Sequence, residues 1–274
     1  MAHPKEFAEG LSIGIIMDGN GRWAQQHKVK IALGHRAGTE NLREIIRNCS
    51  DIGIQALSLY AFSTENWKRS KTEVDALMQL ILDFFASEID ELVRSNVRIT
   101  ILGDKSGLPA PQREALEDAE RRTCGLPGLR LNIAVNYGGR AELVRAARQL
   151  AAEVQSGVLT VDQIDEQAFA DHLYTAGLPD VDLLIRTSGE QRISNYLTFQ
   201  SAYSELYFTS TYWPDFTPEA LHKAGQFLYT DAARPCNGHQ GLGLYLARSV
   251  AQAHVGKLVL ANTGTGAQVQ LCLP

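Results

Sequence analysis

The chain of 274 residues is 45% hydrophobic and 21% charged, ordinary composition for a folded, water-soluble protein of about one or two domains. A net charge of -5 and a pI near 5.8 argue against the basic footprint that wrapping a nucleic acid requires, which leaves small molecules or proteins as partners. Cys49, Cys124, Cys236 and Cys272 lie far apart with no C-x-x-C pair, so neither a zinc knuckle nor a disulfide framework is indicated, and reduced thiols in a cytoplasmic setting are expected.

Taken in chain order, "MAHPKEFAEG" has no basic segment followed by an apolar one, so no secretory signal is expected. "SIGIIM", "ALSLYAF", "NVRITILG", "LRLNIAVNY" and "VDLLIRT" are nearly continuous apolar runs, as strands buried on both faces should be. Helix-like runs alternate with them. The expected fold is therefore α/β: a single layered domain with a mainly parallel central sheet flanked by helices. Between the second and third strands, Val74, Leu77, Met78, Ile81, Phe85, Ile89 and Leu92 recur at helical spacing and give a wide apolar face. That face either packs on the sheet or lines an apolar tunnel, and periodicity does not separate the two. Asp83, Glu88 and Asp90 break the most apolar window, which a membrane span would tolerate poorly. "AELVRAARQLAAEV" reads as an amphipathic helix, and Thr160 to Pro179 as a polar connection with a short helix. Composition shifts towards glycine between His222 and Pro235, which suggests a main domain over 1–228 and an atypical tail over 229–274 that ends in two strand-like runs.

The chemistry gathers behind the strands. Ligands of open α/β sheets bind beyond the carboxyl ends of the strands, and Asp18 stands where "SIGIIM" ends. Gly19 and Gly21 permit turns that expose backbone N–H groups, and a helix begun near Trp23 would aim its positive end at the same place. Arg22 adds a two-pronged cation, and an acid beside a phosphate makes sense with Mg²⁺ between them. A dinucleotide fingerprint matches the spacing of Gly19, Gly21 and Ala24, but Asp18 without a metal would oppose a pyrophosphate there. Asp18 and Asn20 begin like a calcium loop, yet Trp23 stands where that loop needs glycine. A plain glycine-rich turn is the remaining alternative, and other segments weaken it by repeating the theme.

"YAFSTENWKRS" crowds Ser63, Glu65, Asn66, Trp67 and Arg69 behind the second strand, with a capped helix start as its structural reading. "NYGGR" offers a turn suited to anions through Asn136, Gly138, Gly139 and Arg140. "LLIRTSGEQRISNY" puts Arg186 and Arg192 around a turn with Ser188 and Ser194, a second anion site. Glu205, in "SAYSELYFTSTYWPDF", is available as a second carboxylate for a cation. Together these residues point to two phosphate-bearing substrates brought to one sheet edge with Mg²⁺.

"MDGNGRWA", "GHRAG", "LYAFSTENWKR", "NYGGR", "DLLIRTSGEQRISN" and "ELYFTSTYWPDF", in this order from Ile13 to Leu221, resemble the cis-prenyltransferase family, its bacterial undecaprenyl diphosphate synthases above all. The resemblance implies a cytoplasmic homodimeric α/β enzyme that condenses isopentenyl diphosphate with an allylic diphosphate such as farnesyl diphosphate. It also implies peripheral membrane contact through the lipid product. It makes Asp18 the essential acid near Mg²⁺, places His35 beside the leaving diphosphate, gives the allylic diphosphate to Gly21 and Arg22, and counts Gly19, Asn20 and Trp23 among the substrate-binding residues. Ser63, Asn66, Trp67 and Arg69 would position substrates, with Asn66 counted among the catalytic groups. Arg186, Arg192 and Ser194 would hold isopentenyl diphosphate, and Glu205 would join Asp18 on the metal. The apolar helix would form one wall of the product tunnel.

The chain departs from the family pattern at several points. Ile31 stands where an arginine usually grips diphosphate, Ser70 where a proline follows "NWKR", and Phe199 where the pattern has tryptophan. The arginine- and glycine-rich closing motif is replaced by a tail that resembles the end of the ATP-binding domain of sensor histidine kinases, "GLGL" with Gly241 and Gly243 included. The earlier boxes of that domain are absent upstream, so no ATP site is expected. Ile31 and the altered tail leave an alternative reading, a weak or inactive prenyltransferase-like subunit or chimera.

Overall fold

The computed structural model describes residues 10–225 and the strands 257–263 and 266–272. Five of its strands are the apolar runs read from the sequence: β1 (Ser12–Ile16), β2 (Ala56–Ser63), β3 (Arg98–Leu102), β4 (Arg130–Tyr137) and β5 (Leu183–Arg186). Every residue of β1 and β5 is buried, which is why hydrophobicity runs unbroken rather than alternating there. A sixth strand, β6 (Glu205–Phe208), was not expected. It is short, lies at the sheet edge and leaves Leu206 43% exposed, so it carries no continuous apolar signature.

The sheet order is β3-β4-β2-β1-β5-β6, with every neighbouring pair parallel. Parallel neighbours need crossover connections. The helices are α1 (Asn20–Gln26), α2 (Ile31–Asp51), α3 (Lys71–Arg94), α4 (Ala110–Thr123), α5 (Gly139–Ser156), α6 (Glu166–Ala170) and α7 (Pro218–Gly225). From β1 the chain moves to β2 on one side and β5 is placed on the other, so the order reverses between β1 and β5. A crevice at such a reversal is where open α/β sheets bind ligands.

Two helical details follow from local sequence. Ser70 caps α3, its Oγ accepting the Glu73 N–H at 3.3 Å, so the residue replacing the family's proline supplies a helix start of its own. Gly38 lets α2 approach α1: a Cβ there would lie 2.4 Å from Asn20 Oδ1 and 2.9 Å from the Trp213 ring.

By its contacts the chain divides into residues 1–225 and 226–274. In the second unit, β7 (Lys257–Thr263) and β8 (Gly266–Cys272) pair antiparallel, Lys257 opposite Cys272. Gly241, Gly243 and the run that follows them lie outside the described residues.

Candidate active site

Asp18 is held at the switch point by its backbone. Its N–H donates to Thr187 Oγ1 at 3.0 Å, and its carbonyl accepts the Thr187 hydroxyl at 2.6 Å and the Trp213 N–H at 3.0 Å. The end of β1 is thereby stitched to the end of β5. Gly19 then takes φ +108°, a left-handed turn where a Cβ would meet the Tyr212 ring at 2.9 Å, and α1 begins at once.

The Asp18 carboxylate accepts from Arg186 Nη2 at 2.9 Å and lies 3.2 Å from Arg22 Nη2, both through Oδ2. Oδ1 accepts no hydrogen bond among the described residues. Arg186 is 5% exposed, and its Nη1 donates to the Arg192 carbonyl and to Ser194 Oγ, each at 2.6 Å. A buried guanidinium therefore ties Asp18 to the loop that carries the second anion-binding cluster. Glu190, which the sequence reading passed over, bridges Arg22 (3.5 Å) and Arg192. Its only signal was a carboxylate between two arginines in "RTSGEQR".

His35, on α2, faces the same space, with Asn20 Nδ2 3.5 Å from its Nδ1. Burial, and next the charge of Arg69, depress its pKa below 6.5, against a smaller opposing pull from Glu73. The ring is neutral at neutral pH.

Behind β2, Asn66 Oδ1 accepts the Ser63 N–H at 2.9 Å and closes the 3₁₀ turn Thr64–Lys68. Glu65 Oε1 accepts from Asn195 Nδ2 at 3.0 Å. Two backbone donors of the "NYGGR" turn, which its composition offered to an anion, are already occupied within the protein. Gly139 N–H donates to the Asn195 carbonyl and Arg140 N–H to Asn195 Oδ1, both at 2.8 Å, so these donors brace the Ser194–Asn195 loop instead. The backbone is strained where these segments meet: Asn136, Ser188, Ser194, Asn195 and Leu197 all have positive φ, between +43° and +83°.

One cavity of about 780 Å³ unites the parts. Asp18, Asn20, Arg22, His35, Ser63, Asn66, Arg69, Arg186, Arg192 and Ser194 line its polar end. Leu77, Leu80, Ile81, Phe84 and Phe85 of α3, facing Leu59, Ile133 and Val135 of β2 and β4, line its apolar part. Val74, Met78, Ile89 and Leu92 of the same helix are buried, so α3 both packs on the core and walls a bore.

Five expected site residues lie outside this lining, Gly19 of the left-handed turn among them. Trp23 turns away, donating from Nε1 to Asp215 Oδ1 at 2.8 Å and stacking on His27 at 4.0 Å. Trp67 donates from Nε1 to Asn136 Oδ1 at 2.8 Å and packs edge-on against Phe62, so it supports the turn rather than the cavity. Nothing stands within 4 Å of a Cβ built on Gly21, which leaves that approach open. Glu205 stands apart from Asp18 within the chain. It pairs with Leu183, which pairs with Ile13, so it sits two strands across from Asp18 and five residues below it along the strand direction, roughly 17 Å in that direction alone. Within one chain the two carboxylates do not share an ion. Among the described residues no group of three or more His, Cys, Asp or Glu is placed to hold a metal. Ile31, in place of the family's arginine, opens α2 with its side chain 51% exposed. Phe199 packs against Phe169 with ring centroids 5.6 Å apart.

The family model described as "Putative undecaprenyl diphosphate synthase" matches residues 16–233. The chain belongs to this prenyltransferase family. An isoprenyl transferase from Clostridium tetani is 48% identical over 212 residues, 77% of this chain and 83% of that protein. One from Geobacter sulfurreducens is 49% identical, covering 77% and 86%. Among solved structures, lavandulyl diphosphate synthase from Lavandula x intermedia, in complex with dimethylallyl diphosphate, superposes with a TM-score of 0.79 at 40% identity over 84% of this chain and 98% of that one. A probable undecaprenyl diphosphate synthase from Campylobacter jejuni gives 0.65 at 31% identity, covering 78% and 92%. The protein is a cis-prenyltransferase that makes prenyl diphosphates. The expected likeness of the tail to histidine kinases finds no counterpart in these comparisons. Among the described residues no helix is long and apolar enough to cross a membrane.

Proposed function

We propose that the protein is a polyprenyl chain elongase that joins isopentenyl diphosphate to an allylic diphosphate such as farnesyl diphosphate, with undecaprenyl diphosphate as its product. The observation that carries this reading is the single cavity with arginines at one end and aliphatic and aromatic side chains at the other. A molecule with a diphosphate head and a hydrocarbon tail matches both ends at once.

In this reading Arg22, Arg69 and the neutral His35 surround the leaving diphosphate, and Arg186, Arg192 and Ser194 hold isopentenyl diphosphate. Fixed cations pre-aimed at the oxygens of the departing group stabilise charge that grows only as the C–O bond breaks. The donor set fits Mg²⁺, which takes one or two carboxylates and completes its shell with phosphate oxygens and water. Asp18 would hold it through the free Oδ1. Once bound, the ion neutralises diphosphate charge and favours departure of the leaving group. Asn66 and Ser63 orient the turn beside it. Glu205 could meet an Asp18-bound ion only from a second copy, which agrees with the proposed homodimer. The proposed setting is cytoplasmic, with membrane contact through the growing lipid.

Incubation with farnesyl diphosphate, labelled isopentenyl diphosphate and Mg²⁺, followed by chromatography of extracted lipids, tests the proposal. Long labelled prenyl products are expected. Their absence from folded protein favours the inactive-subunit reading raised by Ile31 and the altered tail.

A further inference from the structure

Asn195 stands where three segments meet. Its Nδ2 donates to Glu65 Oε1 at 3.0 Å, its Oδ1 accepts the Arg140 N–H at 2.8 Å, and its carbonyl accepts the Gly139 N–H at 2.8 Å. A backbone N–H can only donate, so the amide oxygen of Asn195 must face Arg140 and its amide nitrogen must face Glu65. The approach is close enough to need glycine. A Cβ on Gly138 would lie 2.7 Å from Thr64 Oγ1 and 2.9 Å from Asn195 Nδ2, and one on Gly139 would lie 2.4 Å from Thr198 Oγ1. Asn195 itself holds φ +61°, a left-handed conformation that asparagine and aspartate tolerate better than most side chains.

We propose that Asn195 is a positioning residue: through Glu65 it holds the 3₁₀ turn that carries Asn66 in register with the loop that carries Arg192 and Ser194. This rests on the substrate roles proposed above, which put one diphosphate beside Arg69, at the end of the turn, and the other against Arg192 and Ser194. Asn195 follows Ser194 in the chain and is one hydrogen bond from Glu65, which precedes Asn66. Glu65 and Asn195 both border the cavity between the two sets of residues. Glu65 Oε2 accepts from Thr64 Oγ1 at 3.1 Å, so one carboxylate spans from the turn to the loop. Bond formation between two substrates needs their ends at a fixed separation, and a displacement of about 1 Å can cost about 100-fold in rate. The far side of the turn has its own anchor, Trp67 Nε1 on Asn136 Oδ1 at 2.8 Å. Loss of the Glu65 link should therefore shift the turn without unfolding it.

Exchanging donor and acceptor across the link tests it. Asn195→Asp keeps an acceptor for the Arg140 N–H and a residue suited to positive φ, but turns a second carboxylate oxygen towards Glu65 with no proton between them. Adding Glu65→Gln to that variant lets the glutamine amide donate in the reverse direction and restores the bond. With farnesyl diphosphate and isopentenyl diphosphate, Asn195→Asp should show a kcat about 10- to 100-fold below wild type, and the double variant should recover to within about threefold. Hydrogen exchange of the amides of residues 63–69, measured without substrate, should speed up about tenfold in Asn195→Asp and return in the double variant. Glu65→Ala breaks the same link from an exposed side chain, and gives the same direction if Asn195→Asp does not fold. Normal turnover and exchange in the broken-link variants overturn the proposal. So does a loss that the second substitution leaves in place, or lost turnover with unchanged exchange. Exchange that follows the expected pattern in a protein that forms no labelled lipid keeps the link and removes the substrate roles.

Discussion

Arg186 Nη2 donates to Asp18 Oδ2 at 2.9 Å from a guanidinium that is almost fully buried between β5 and the Arg192–Ser194 loop. The last residue of one strand thus fixes the acid that follows its neighbour, and the two groups have different tasks. Asp18→Asn keeps the shape and the backbone stitching but removes the charge directed at a cation. Turnover should fall about 100-fold or more while the melting temperature changes little. Arg186→Leu should instead cost stability, about 3 kcal/mol, because it strands the acceptors that the buried cation now satisfies. Steady-state turnover and denaturant unfolding of both variants check this pair of outcomes.

Glu190 occupies the two arginines that an incoming diphosphate needs, Arg22 at 3.5 Å and Arg192 closer still. Glu190→Gln should tighten binding of inorganic pyrophosphate about three- to tenfold, since it removes a competing carboxylate and a repulsive charge. Calorimetric titration reads this directly, and weaker binding in the variant would show that Glu190 positions the arginines rather than competing for them.

His35 sets a pH dependence whose sign is fixed by its lowered pKa. Between that depressed value and 6.5, the unfolded chain holds more protons on this residue than the folded one, so stability rises with pH across the window. The contribution is complete above 6.5 and is lost as pH falls through the folded value. In His35→Gln the slope of melting temperature against pH just below 6.5 should flatten. An unchanged slope would assign it to other groups.

Ser70 tests how the chain tolerates its departure from the family's proline. Its φ of -57° already suits proline, and Arg69, at φ -71° and ψ 169°, has the extended backbone that precedes one. Ser70→Ala loses the cap and should cost about 1 kcal/mol. Ser70→Pro should cost less, because a stiffer unfolded chain offsets the lost cap. Equilibrium unfolding in urea distinguishes the two orders of stability.

What the sequence disclosed depended on how each residue acts. Strands buried on both faces announce themselves as unbroken apolar runs, so β1 to β5 were legible. β6 was not, because an edge strand with an exposed Leu206 looks like a loop. The α3 periodicity left packing and tunnel as equal readings, and only the positions of Leu77 and Ile81 beside the cavity, with Met78 and Ile89 in the core, showed that both hold. Motif residues acting through side chains, such as Asp18, Arg22 and Arg192, were legible as candidates and line one cavity. Composition did not show that the Gly139 and Arg140 N–H groups of "NYGGR" are taken by Asn195, which is 55 residues from Arg140 in sequence. Glu205 shared a motif with the site but not a strand end, and register is invisible before pairing is known.

In the proposed complex one cavity holds a diphosphate at the Asp18 end and hydrocarbon along α3. A crystal structure with Mg²⁺, isopentenyl diphosphate and the unreactive thio-analogue of farnesyl diphosphate tests it most directly. The analogue's diphosphate should lie beside Arg22 and His35, the second diphosphate against Arg186, Arg192 and Ser194, and the farnesyl chain along Leu77 and Ile81 towards Phe84. A farnesyl chain lying outside this cavity, or diphosphates bound away from Asp18, would contradict it.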